Sequence, residues 1–170
     1  QRDCLWQRAG QRGHRRRRAV SGRVALVVAF DHQRIGDFLQ IEEVVKIAEA
    51  LRKEGYSTAV IHGGVSAGNR ASIFERFQTE ANPRVLVIQP QAASHGVTLH
   101  AANTIVYWSP VMSVETYLQC NARVHRAGQK NPTTVVHLQG SGVEKRMYSM
   151  LGNKVDIHNR IIELYGELLS

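Results

Sequence analysis

The run "RVALVVAF", residues 23–30, decides the fold. After Arg23 come seven apolar residues in a row, three of them valine. A run of this length with no polar alternation suits a strand covered on both faces, as in a parallel sheet. Parallel strands need a crossover between them, usually a helix. The next stretches supply such helices. "IEEVVKIAEALRKEG" (41–55) sets Ile41, Val44, Val45, Ala48 and Leu51 at helical spacing, with Gly55 as terminator. "STAVIHGG" (57–64) reads as a strand running into two glycines, and "SAGNRASIFERFQ" (66–78) as a helix with Ile73, Phe74 and Phe77 on one face. "RVLVIQ" (84–89) and "NTIVYWS" (103–109) read as the third and fourth strands. "SVETYLQCNARV" (113–124) reads as a helix capped by Ser113, and "TTVVHL" (133–138) as the fifth strand. From Val143 onward the pattern is helical, with a break expected at "LGNK" (151–154). Strand and helix alternate throughout, which predicts an α/β fold with a parallel sheet and helices on both faces.

Composition bounds the function. The chain has 170 residues, 43% hydrophobic and 21% charged, which suits one domain with its own core. The longest apolar run is far short of the ~20 residues of a membrane span, and no secretory signal pattern is read. No membrane association is expected. Two distant cysteines, Cys4 and Cys120, fit a reducing compartment, so a cytoplasmic location is expected. No cysteine or histidine pair has metal-ligand spacing, and no metal site is expected. The net charge of +8 is concentrated at the start: residues 1–23 hold eight arginines and one aspartate, leaving the remainder near neutral. Residues 1–23 read as a basic arm for a polyanion or as a linker, and residues 24–170 as the domain.

The chemistry lies in three segments. No G-x-x-x-x-G-K-[ST] loop occurs, so the chain alone is not expected to hydrolyse a nucleoside triphosphate. "QCNARVHRAGQ" (119–129) carries Arg123 and Arg126 three apart, with Gln119 one turn before them. Spacing of three puts two helical residues on one side. Arginine suits phosphate, because its planar fork donates two parallel bonds and keeps its charge. An exposed helix end with two solvated arginines would look the same. "QPQAASHGVTLH" (89–100) runs from a strand through small residues to Gly96, either a close backbone approach or an ordinary connection. His95 reads as a donor to a neighbouring loop or as a structural side chain. "HGGVSAGNRASIFERF" (62–77) ends a strand at Gly63 and Gly64, caps a helix at Ser66, and places Arg70 near a helix start able to meet phosphate. Ligands in such sheets gather at the carboxyl ends of the strands, and the sites are expected there.

Taken together and in this order, the three segments resemble the C-terminal RecA-like lobe of superfamily 2 helicase-type motors, specifically the Swi/Snf DNA translocases, with a leaning toward a phage and prophage branch. "QCNARVHRAGQ" fits Q-x-x-x-R-x-H-R-x-G-Q at every fixed position. The resemblance implies a RecA-like fold. It implies a DNA-dependent ATPase whose ATP and Mg2+ are held mainly by a separate N-terminal lobe. Arg123 and Arg126 would be its arginine fingers. Gln119, His95 and Gly96 would belong to the nucleotide side. His62, Gly63, Gly64, Ser94 and Thr98 would lie near duplex DNA. Three positions depart from the family pattern: Met112 stands where a tryptophan is usual, Thr98 replaces an asparagine, and "SGVEKR" (141–146) keeps only Glu144 of a threonine-isoleucine-glutamate element. A non-enzymatic nucleic-acid-binding or regulatory module on the same scaffold is the alternative reading.

Overall fold

The computed structural model describes residues 23–27, 37–93, 97–111 and 113–168. Expectations that fall on residues 1–22, on 28–36 (including the end of the "RVALVVAF" strand), on Ser94, His95 and Gly96, on Met112 and on 169–170 lie outside these residues.

Among the described residues five strands form one sheet: β1 (Arg23–Val27), β2 (Thr58–Ile61), β3 (Val85–Ile88), β4 (Ala102–Tyr107) and β5 (Thr134–His137). Their order is β2-β3-β1-β4-β5, and every neighbouring pair is parallel. The first strand is thus central, as its unbroken apolar run requires. Among the described residues four α-helices connect and flank the strands: α1 (Asp37–Lys53), α2 (Ala67–Thr79), α3 (Val114–Val124) and α4 (Gly142–Leu168). A short 3-10 turn at Pro90–Ala93 follows β3.

Side chains alternate across the strands, so the sheet feeds two cores. Val85 and Val87 face α1, where Val44, Ile47 and Ala48 complete the smaller core. Leu86 and Ile88 face the other way, against Phe74 and Phe77 of α2, Tyr117, Cys120 and Val124 of α3, and Tyr148 and Leu151 of α4. Burying one such aliphatic or aromatic side chain is worth about 1.5–3 kcal/mol. Helices therefore cover both faces, as the alternation predicted.

The caps also match their residues. Ser66 Oγ accepts the Asn69 amide at 3.3 Å, and Ser113 Oγ accepts the Thr116 amide at 3.3 Å. Gly55, at φ +85°, ends the turn after α1 in the left-handed region, where a Cβ would be strained. Two expectations need correction. Helix α1 starts at Asp37, four residues before Ile41. Helix α4 runs through "LGNK" without a break, because Leu151 is buried in the core and holds that turn down.

Candidate functional site

Each crossover helix leaves the carboxyl end of one strand and returns to the amino end of the next. This simple geometry splits the expected site residues into two sets at opposite edges of the sheet.

The amino-edge set is built around the end of α3. Arg123 lies half-buried in the last turn, and its carbonyl accepts the Leu99 amide at 2.7 Å. His125 is the C-cap, so Arg126 stands beyond the helix and is exposed. The Arg126 guanidinium donates from Nη1 to Thr98 Oγ1 at 3.1 Å. Gly128, at φ +100°, makes the turn that brings the next residue back. The Gln129 amide group then donates to the carbonyls of Ala102, His100 and Val124 at 2.6, 3.0 and 3.3 Å. From the other side, Gln78 near the end of α2 donates to the Thr98 carbonyl and accepts the Ala101 amide at 2.9 Å. The segment carrying Thr98 is therefore clamped from both α2 and α3.

The carboxyl-edge set follows β2. The Gly64 amide donates to His62 Nδ1 at 3.0 Å, and an Nδ1 that accepts leaves Nε2 to donate. A Cβ on Gly64 would lie 3.0 Å from the His62 ring, closer than ordinary contact, so a larger residue there would push the ring aside. The Gly63 amide donates to the buried Gln89 side chain at 3.2 Å. Gly63 and Gly64 are exposed and lie just before the N-terminus of α2, where backbone amides and the helix dipole favour an anion. Arg70, one turn into α2, donates to the Val65 carbonyl at 3.1 Å.

Several expectations change. Arg123 and Arg126 do not share a helical face, since only Arg123 is helical. Gln119 does not join them: its amide donates to Glu115 Oε1 at 3.0 Å, one turn back along α3. The pair does not lie at the carboxyl ends of the strands, where the parallel-sheet rule put it. It lies at the amino edge, because it ends the crossover into β5. Thr98 belongs with Arg126 rather than with His62, Gly63 and Gly64. The two sets are held by opposite ends of α2, a helix of 13 residues and so about 20 Å long at 1.5 Å per residue. Ser94, His95 and Gly96 lie outside the described residues.

A buried aromatic group backs α3. Tyr107 and Tyr117 have ring centres 5.0 Å apart, and His137 stacks on Tyr148 at 4.2 Å. The Tyr117 hydroxyl and His137 Nε2 are 3.2 Å apart. Burial lowers the His137 pKa to about 4 and raises the Tyr107 phenol well above its ordinary value. Burial also pushes the Cys120 thiol up to about 11, against the opposing charge of Arg123, so this cysteine is a core residue rather than a nucleophile. Sequence reading missed Gln78 and this aromatic group. Gln129 was legible as the last fixed position of its motif, although its closing of three carbonyls was not. Among the described residues no group of three histidine, cysteine, aspartate or glutamate side chains is placed to hold a metal. No described helix is long and apolar enough to cross a membrane.

Known proteins resemble this chain in sequence and in fold. The chain is 28% identical over 131 residues to a Caenorhabditis elegans SWI/SNF-related matrix-associated actin-dependent regulator of chromatin subfamily A-like protein 1 homolog, covering 76% of this chain and 18% of that protein. It is 27% identical over 133 residues to human DNA excision repair protein ERCC-6, covering 77% of this chain and 9% of that protein. The chain thus spans less than a fifth of the length of either relative. Both are eukaryotic, and they lend no support to the expected phage and prophage leaning. The fold matches the crystal structure of the C-terminal part of the Fun30 ATPase domain with a TM-score of 0.62 at 14% identity, covering 76% of this chain and 39% of that one. This agrees with the RecA-like lobe that the family resemblance implied. The family described as "Helicase conserved C-terminal domain" matches residues 21–128, from the start of β1 through the turn at Gly128. The chain belongs to the helicase C-terminal domain family, with relatives of the SWI/SNF kind.

Proposed function

We propose that this domain is the second motor lobe of an ATP-driven duplex DNA translocase, and that Arg126 is the arginine it presents to ATP held with Mg2+ on an N-terminal RecA-like lobe. The observation that carries this reading is the state of Arg126: exposed, beyond the helix, and tethered by one nitrogen to a neutral hydroxyl. Thr98 orients the guanidinium without neutralising it, leaving the other donors for a phosphoryl group. The amino-edge location is compatible with this role. The carboxyl-edge rule describes ligands a sheet binds for itself, whereas a group acting in trans needs only an open rim. Arg123, half-buried with its carbonyl tied to Leu99, supports the turn from behind.

ATP supplies the phosphoryl group and its charge, and this chain supplies a fixed positive charge when the lobes close. Opening then withdraws it. The carboxyl-edge set serves the other partner: the N-terminus of α2, with His62, Gly63 and Gly64 shaping its approach, would meet DNA phosphates, giving grip with little base reading.

The test uses the full-length protein with its companion lobe. Arg126→Ala is expected to lower duplex-stimulated ATP hydrolysis by roughly a thousandfold or more, the range for an arginine finger. Thermal unfolding should change little, because the guanidinium is exposed. Full activity in that variant would refute the role and favour a scaffold without motor function.

A further inference from the structure

We propose that the Tyr107 hydroxyl is a positioning group for the arginine-bearing end of α3, an inference that rests on the role given above to Arg126. Tyr107 closes β4 and its side chain is fully buried. Its hydroxyl lies 2.9 Å from Asn121 Oδ1 and 3.3 Å from the Tyr117 carbonyl, both on α3. The Asn121 carbonyl in turn accepts the His125 amide at 2.8 Å, the bond that closes the last turn before Arg126. The Tyr107 carbonyl accepts the Leu138 amide at 3.0 Å as β5 ends, and the Tyr148 hydroxyl of α4 at 3.4 Å. One residue therefore ties β4 to α3, β5 and α4.

The need for such a tie is physical. Leu118, Cys120 and Val124 hold α3 to the sheet by apolar contact, which is non-directional and lets a helix slide or roll by fractions of an ångström. A hydrogen bond to a defined oxygen fixes the register. Register matters because a misplacement of about 1 Å at a reacting centre costs roughly a hundredfold in rate. Burial keeps the phenol protonated, so it donates at any ordinary pH.

The test compares Tyr107→Phe and Asn121→Ala in the full-length protein. Tyr107→Phe keeps the ring packing and removes one oxygen. Each variant is expected to lower kcat for duplex-stimulated ATP hydrolysis by about tenfold, a shift of a fraction of an ångström on that scale. KM for ATP should be unchanged. The double variant should be no worse than either single one. In an Arg126→Ala background, Tyr107→Phe should add no further loss. Independently of activity, hydrogen exchange at the His125 amide should quicken in Tyr107→Phe while amides of β3 and β4 keep their protection. Unchanged kcat with unchanged His125 exchange overturns the proposal, and so does a general loss of protection across the sheet, which marks a group needed for stability alone. If Arg126→Ala retains full activity, the arginine reading falls, and the His125 exchange still decides whether the hydroxyl holds the end of α3.

Discussion

Arg123 and Arg126 are three residues apart and do different work. The first is half-buried, with its backbone holding Leu99; the second is exposed and held by Thr98. Spacing alone cannot separate them, because it assumes a helix, and α3 ends at Val124, two residues before Arg126. His137 shows the same limit. It closes β5 as one more histidine in the sequence, yet burial lowers its pKa from 6.5 to about 4. The folded value lies below the unfolded one, so the unfolded chain takes up the proton first as pH falls. The stability of the neutral form is whole above pH 6.5 and drains away toward pH 4. In His137→Gln, the fall in urea midpoint between pH 7 and pH 4.5 should be shallower than in the parent. Identical slopes would show that this ring does not drive the acid response.

At the scale of elements, the capped starts of α2 and α3 were legible in the sequence, whereas the reading misplaced the start of α1 and missed the cap of α4. Ser66 and Ser113 cap α2 and α3 as read, since a side-chain oxygen ahead of an apolar period is a local signal. Glu144 was read as the remnant of a family element, and the structure gives it a local task. Its Oε2 accepts the Gly140 and Ser141 amides at 2.7 and 2.9 Å, while Ser141 Oγ accepts the Glu144 amide at 3.2 Å. This is the reciprocal serine-glutamate cap of a helix start. The signal is local, in "SGVE", residues 141–144, a serine followed three residues later by a glutamate. Glu144→Ala should cost about 1 kcal/mol, read as a lower denaturation midpoint with duplex-stimulated ATPase otherwise intact. A loss of activity larger than the loss of stability would return Glu144 to the functional set.

Across the whole molecule, charge and topology act separately. The domain from residue 24 onward is close to neutral, and eight of the arginines lie in residues 1–23. Attraction of this kind to a polyanion depends on salt, because each phosphate contact releases counterions. Deleting residues 1–22 from the full-length protein should weaken duplex DNA binding at low salt and flatten its dependence on salt concentration, with ATP hydrolysis at saturating DNA preserved. An unchanged slope, measured by anisotropy titration over a salt series, would mark the segment as a linker. The strand order β2-β3-β1-β4-β5 governs the rest, since it sends the ends of α2 and α3 to the same edge and brings Gln78, Thr98, Arg126 and Gln129 together.

The amino-acid order by itself determined the number of the strands and their succession along the chain, two helix caps and the motif around Arg123 and Arg126, because each depends on neighbours within about one turn or one strand. Only the tertiary structure decided which edge those arginines occupy, that Gln119 turns away to Glu115, and that Tyr107 reaches Asn121. Those facts depend on the return path of each crossover and on the packing of α3 against β4, which join residues that no local period connects.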